Sequence, residues 1–89
     1  MIRKKCQILN KLGVHARAAA KLVHLAAKYE SHIELTHHDR VANAKSIMGV
    51  MMLGAAYHNW IEIQVHGLDE EKALTELLAL INNRFGEEQ

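Results

Sequence analysis

The sequence predicts an α+β protein in which helices cover one face of a small sheet. Three observations predict it: stretches of strict apolar and polar alternation, stretches where apolar residues recur every three or four positions, and the order in which the two kinds follow one another. That order is strand, helix, strand, strand, short helix, strand, helix, with no internal repeat, low-complexity tract or linker to interrupt it. Residues 1–89 are therefore expected to form one domain.

Ile2, Lys4, Cys6 and Ile8 alternate with Arg3, Lys5 and Gln7, the pattern of a half-buried strand in which Lys4 alone fits poorly. A turn follows over Asn10 to Gly13. From Ala16 to Lys28, Ala16, Ala19, Ala20, Val23, Ala26 and Ala27 draw a stripe of small apolar residues at helical period, broadened by Leu22 and Leu25. Lys21, His24 and Lys28 fall on the solvated side, and Tyr29 to Ser31 ends the helix. Ile33 and Leu35 alternate within His32 to Thr36, and after a polar turn at His37 to Asp39 the segment Arg40 to Ala44 returns as a hairpin partner.

Ser46 precedes the apolar run Ile47 to Leu53, closed by Gly54; serine is a favoured N-cap because its oxygen accepts an orphan amide, so the run reads as a two-turn helix. Val50 to Leu53 cannot all face a core on so short a helix. Some of its methionines are expected at the surface, where they suit protein contacts. Trp60 to His66 is the clearest strand, with Ile61, Ile63 and Val65 on one face and Trp60, Glu62, Gln64 and His66 on the other, and Gly67 breaks it. Asp69 is a good N-cap, Glu70 and Glu71 complement the helix dipole, and Leu74, Leu77, Leu78 and Ile81 carry a third helix to about Arg84.

Composition narrows the function. A chain with 49% apolar and 24% charged residues resembles an ordinary globular domain, too small for a deep, elaborate cleft, so a surface site is expected. No run approaches the roughly 18 apolar residues of a spanning helix, and no apolar stretch backs the basic N-terminus, which points to the cytoplasm. Cys6 is the one cysteine and cannot form an internal disulfide; its alternating context suggests a small buried hydrophobe. The net charge of +1 hides an asymmetry: residues 1–45 hold 9 basic and 3 acidic side chains (+6), and residues 46–89 hold 2 and 7 (−5). Two solvated faces explain such a split as readily as an acidic partner docking near Arg17, Lys21 and Lys45.

The most informative residues are Leu12-Gly13-Val14-His15-Ala16-Arg17-Ala18-Ala19-Ala20, which set one histidine between a glycine turn and the start of a helix. The first amides of a helix have no intrahelical acceptors and lie at the positive end of its dipole, a ready site for a phosphoryl group on that imidazole. Arg17 adds a planar fork of donors suited to phosphate oxygens.

Gly13-Val14-His15-Ala16-Arg17, Asn43-Ala44-Lys45-Ser46-Ile47-Met48 and Met52-Leu53-Gly54, at these separations, make the whole chain resemble the HPr family, histidine-containing phosphocarriers of the bacterial phosphoenolpyruvate phosphotransferase system that include the nitrogen-branch NPr. The resemblance implies an open-faced β-sandwich, a four-stranded antiparallel sheet covered on one face by three helices. It implies that His15 accepts a phosphoryl group on Nδ1 from enzyme I and passes it to an enzyme II-type A protein, with the Ala16 and Arg17 amides and the Arg17 side chain on the phosphate. A helix N-terminus disfavours a positive ring, which suits a nucleophile, and a loose transition state leaves positioning and charge as the main levers.

The family usually has proline after the arginine; here it is Ala18, in a chain without proline, and the expected loss is stiffness of about 0.4–1 kcal/mol through the unfolded state. Ser46 matches the serine phosphorylated in relatives from bacteria with an HPr kinase/phosphorylase. Phosphate there adds a charge of about −2 and repels an acidic partner. Ile47, Met48 and Met51 are the apolar part of the docking face that the family pattern implies. No cofactor is implied, and a monomer suits a shuttle.

Other readings fit less well. The seven histidines, at 15, 24, 32, 37, 38, 58 and 66, include no pair four apart on a helix or two apart on a strand, and His37 and His38 should point apart in a strand, so no metal site is expected. No nucleophile elbow is present, and no acid is spaced to form a triad with His15. A nucleic-acid module would need a stacking platform, which Tyr29, Tyr57, Trp60 and Phe85 do not form on central strands. The same fold used as a regulatory binding module, controlled through Ser46, is the alternative to a carrier.

Overall fold

Four strands and three helices form in the predicted order: β1 (Ile2–Gln7), α1 (Ala16–Ala26), β2 (His32–His37), β3 (Arg40–Asn43), α2 (Ile47–Met52), β4 (Trp60–His66) and α3 (Glu70–Asn82), followed by a tight turn at Arg84–Gly86. The structure is a computed structural model and describes all 89 residues. The sheet is antiparallel throughout, in the order β1-β4-β2-β3.

Its register sets Cys6 opposite Ile61, Leu35 opposite both Ile63 and Ala42, and Ile33 opposite Val65, so these buried apolar residues of all four strands share one face. That face packs with Ala18, Ala19, Leu22 and Ala26 of α1, Val50 of α2, and Ala73, Leu77 and Ile81 of α3 in a single core. The other face is mostly polar, with Lys5 directly opposite Glu62 and Arg3 opposite Gln64, and carries Val41 and Trp60 exposed. Lys4 faces the apolar side, opposite Ile63, and is nevertheless exposed because β1 is an edge strand and a long side chain can leave over the rim. Burial pushes the Cys6 thiol up to about 11, so it behaves as a small hydrophobe.

Several local expectations need correction. The stripe of α1 is rotated from the predicted one: Ala18 and Leu22 are at its centre and Ala16 and Ala27 are exposed, because the 18-22-26 side faces the shared core, with α2 and α3 as its helical neighbours. β2 runs one residue further, through His37, which is buried with Nδ1 2.8 Å from the Leu53 carbonyl oxygen. The turn begins at His38, whose left-handed backbone (φ 57°) brings its ring to 4.2 Å from that of His37 instead of pointing it away. Even so, no three His, Cys, Asp or Glu side chains gather as metal ligands would. No helix is long and apolar enough to cross a membrane.

Asp69 stands at the N-cap position of α3, yet its side chain caps nothing there. Its carboxylate accepts the amides of Glu30 (2.9 Å) and Ser31 (3.0 Å) and the Ser31 hydroxyl, tying the end of α1 to the start of α3. Gly67 permits the approach, since a Cβ there would lie 2.5 Å from Ser31 Oγ. Those hydrogen bonds, that of Ser31 foremost, hold the Asp69 carboxyl below the usual carboxylate range. α3 stops at Asn82, short of the predicted Arg84, because Arg84 (φ 56°) and Phe85 (φ 54°) are left-handed and turn the chain so that Phe85 is fully buried.

Candidate functional site

His15 is placed by the turn before it. Gly13 has φ 67°, and a Cβ there would lie 2.8 Å from the Ala55 carbonyl oxygen and 2.9 Å from Ala56 Cα, so only glycine lets the loop lie against the chain leaving α2. Val14 then donates its amide to the Ala55 carbonyl at 3.0 Å. His15 itself is extended (φ −79°, ψ −179°), and its carbonyl receives the first helical bond, from the Ala19 amide at 2.8 Å. The amides of Ala16, Arg17 and Ala18 precede that bond, and no side chain caps them. Ala18 is fully buried; proline there would sacrifice no helical hydrogen bond.

The His15 side chain is 25% exposed, less open than a bare surface residue, because a carboxylate covers part of it. Nε2 lies in hydrogen-bond contact with Oε2 of Glu87, 72 residues away in sequence. The other Glu87 oxygen accepts from Asn10 Nδ2 at 2.9 Å, and the same amide nitrogen donates to the Gly13 carbonyl at 2.7 Å. No acid is spaced in the sequence to suggest a triad with His15, and the fold supplies one from the tail. Partial burial raises the Glu87 pKa, but hydrogen bonds from Asn10 and His15 and the nearby charges of His15 and Arg17 outweigh it and hold the carboxyl below the usual range.

The tail reaches the site because it is held at three points. Phe85 is sunk in the core, its carbonyl accepts from Lys21 Nζ at 2.7 Å, and the Gln89 carbonyl accepts from the Lys11 amide at 3.1 Å. A hollow beside His15 is therefore lined by Lys11, Arg17 and Lys21 together with Glu87 and Glu88. The returning acidic tail offsets part of the basic charge there, two carboxylates against three cations. Phe85 followed by Gly86, just past the third apolar stripe, was the one sequence signal that this segment is anchored.

The other predicted residues are spread along α1 and α2. Arg17 is exposed at the head of α1, whereas the Lys45 ammonium donates to the Tyr29 carbonyl at 2.7 Å, beyond the far end of that helix. With 1.5 Å rise per residue, the eleven residues of α1 span roughly 16 Å, so Lys45 and Ser46 are at the opposite end of the helix from His15. Ser46 is exposed and caps α2, its Oγ accepting the Gly49 amide at 3.1 Å. Ile47 (40%), Met48 (67%) and Met51 (37%) stand exposed on α2, which packs beside α1.

An open-faced β-sandwich that shows a lone imidazole at an uncapped helix start, with no enclosed cleft around it, has the form of a small carrier that meets its partners face to face. Comparisons with known proteins agree. Residues 2–83 match the family model described as the PTS HPr component phosphorylation site. The phosphocarrier protein HPr of Cupriavidus necator is 48% identical over 87 residues, 98% of each chain, and that of Neisseria meningitidis serogroup A is 45% identical over the same share. The crystal structure of HPr-C-His from Thermoanaerobacter tengcongensis superposes with a TM-score of 0.96 at 43% identity, covering 100% of both chains. The chain belongs to the HPr family, the phosphocarrier proteins of the phosphotransferase system.

Proposed function

We propose that His15 is the phosphoryl carrier, loaded by the phosphohistidine of enzyme I and unloaded onto a histidine of an enzyme II-type A protein of the sugar or the nitrogen branch. The observation that carries this reading is the position of His15 ahead of three uncapped amides, with Arg17 exposed beside it. An Nδ1 lone pair attacks phosphorus as the bond to the donor's ring nitrogen breaks, and the Ala16 and Arg17 amides and the Arg17 guanidinium face the phosphoryl oxygens. These donors remain exposed to solvent, so the group is held loosely enough to be passed on. Lys21, Lys45, Ile47, Met48 and Met51 supply the docking face, on which a cytoplasmic monomer meets its two partners in turn.

Incubation with phosphoenolpyruvate and a cognate enzyme I, followed by intact mass and acid treatment, tests the reading. One acid-labile phosphate that disappears in His15→Ala is the expected result, and no label on the wild type overturns it. Transfer from the loaded protein to a sugar-type or a nitrogen-type acceptor then assigns the branch.

A second reading, regulation through Ser46, has its own support in the exposed hydroxyl at the head of α2. Treatment with ATP and an HPr kinase/phosphorylase should give an acid-stable phosphate lost in Ser46→Ala.

A further inference from the structure

The buried amide of Asn10 and the carboxylate of Glu87 form a short relay that ends on the ring of His15. Glu87 Oε2 meets Nε2, and Glu87 Oε1 meets Asn10 Nδ2, whose second hydrogen is given to the Gly13 carbonyl. An ionised carboxylate has no proton to donate, so the ring nitrogen in this contact must be the donor. We propose that Glu87 is a positioning residue for phosphoryl transfer: it keeps the His15 proton on Nε2 and the lone pair on Nδ1, the nitrogen nearer in the chain to the uncapped amides. The inference rests on the reading of His15 as the carrier.

The electrons balance. Nδ1 gives its pair to phosphorus, the donor histidine takes back the pair of the broken P–N bond, and the His15 ring keeps its Nε2 proton and becomes a phosphorylated imidazolium. The Glu87 carboxylate faces that new positive charge, as the carboxylate of a hydrolytic triad faces its imidazolium. On unloading, phosphorus leaves with the next acceptor's pair and the P–N pair returns to Nδ1. The ring that departs is neutral imidazole, because the Nε2 proton never left; without that proton it would be an imidazolate, a far poorer leaving group. The tail is no autoinhibitory plug, since it occupies the Nε2 side and leaves Nδ1 free.

Substitution by glutamine gives a result that a merely structural role does not. The Gly13 carbonyl requires a donor from Asn10 and so prevents that amide from turning over. In Glu87→Gln the new amide must therefore present its oxygen to Asn10 and its NH2 to His15. An NH2 donates to Nε2, which moves the ring proton to Nδ1 and removes the nucleophilic pair. Glu87→Ala instead leaves Nε2 to water.

Nitrogen-15 spectra of the His15 ring in the unphosphorylated protein, followed to the alkaline plateau, should show the proton on Nε2 in the wild type and predominantly on Nδ1 in Glu87→Gln. Loading from phospho-enzyme I should slow about tenfold or more in Glu87→Gln and less in Glu87→Ala, because an amide in place of a carboxylate imposes the wrong tautomer on its histidine. An unchanged tautomer in Glu87→Gln overturns the inference, and so does a glutamine variant that loads faster than the alanine one. The spectra need no phosphoryl donor, so failure of Glu87 to hold the ring proton on Nε2 and failure of the carrier reading are told apart.

Discussion

α1 and α2 begin in the same way and end up with opposite chemistry. Each is preceded by a polar residue in extended conformation, His15 before α1 and Ser46 before α2. The serine turns its oxygen onto the Gly49 amide and satisfies its own helix; the histidine sends its ring to the C-terminal tail and leaves the first amides of α1 open. A helix start binds an anion only where nothing in the chain already occupies it. The start of α2 is closed by its own serine, and the start of α1 keeps amides that can receive the phosphoryl group proposed for His15. The start of α3 is a third case, in which Asp69 holds the loop after α1 rather than its own helix.

The largest effect should come from making the first start like the second. His15→Ser should abolish acid-labile loading while gaining about 1 kcal/mol of stability from the new cap, read by intact mass and urea unfolding. A stability loss of similar size would show that the α1 amides are already satisfied in solution. Next in size is Phe85→Ala, which removes the anchor of the tail. A fully buried phenylalanine is worth about 3–5 kcal/mol, so the urea midpoint should drop sharply. In the surviving folded protein the His15 ring should lose its Nε2 contact. A small drop with an intact contact would mean that the Lys21 and Lys11 hydrogen bonds suffice to hold the tail.

Ser46→Ala should cost about 1 kcal/mol and leave loading of His15 near wild type, because the cap serves α2 alone. Slower loading by an order of magnitude would couple the two helix starts. The gentlest perturbation is acid. Asp69 and Glu70 have folded pKa values below their unfolded ones, Asp69 through Ser31 and Glu30, and Glu70 chiefly through the Gly67 amide. The stability they add is therefore complete above the unfolded values of about 3.9 and 4.3 and is lost as pH falls through the lower folded values. Urea midpoints measured from pH 7 to pH 2.5, alongside NMR titration of the two carboxyls, should show that decline. Ordinary titration of Asp69 would mean that its loop contacts are absent in solution.

Local patterns carried most of the architecture. Alternation in Ile61-Glu62-Ile63-Gln64-Val65, the small-residue stripe of α1 and the serine before Ile47 each act over a few residues, through pleat, helical period and capping, and each element formed where those patterns put it. The placement of His15 at a helix start was legible for the same reason, since Gly13 and the alanines after it leave the backbone few alternatives.

What surrounds that histidine was decided only by the tertiary structure. Which side of α1 faces inward depends on where the rest of the core lies, and a stripe of alanines is too uniform to say. Asp69 looked like a cap because capping is local, but two amides and a hydroxyl of another loop compete for its carboxylate and win. Glu87 is an unremarked acid in a polar tail until two left-handed residues and the burial of Phe85 turn the chain back across 72 residues to His15. Contacts of that range are fixed by the closure of the core, which no window of neighbouring residues records.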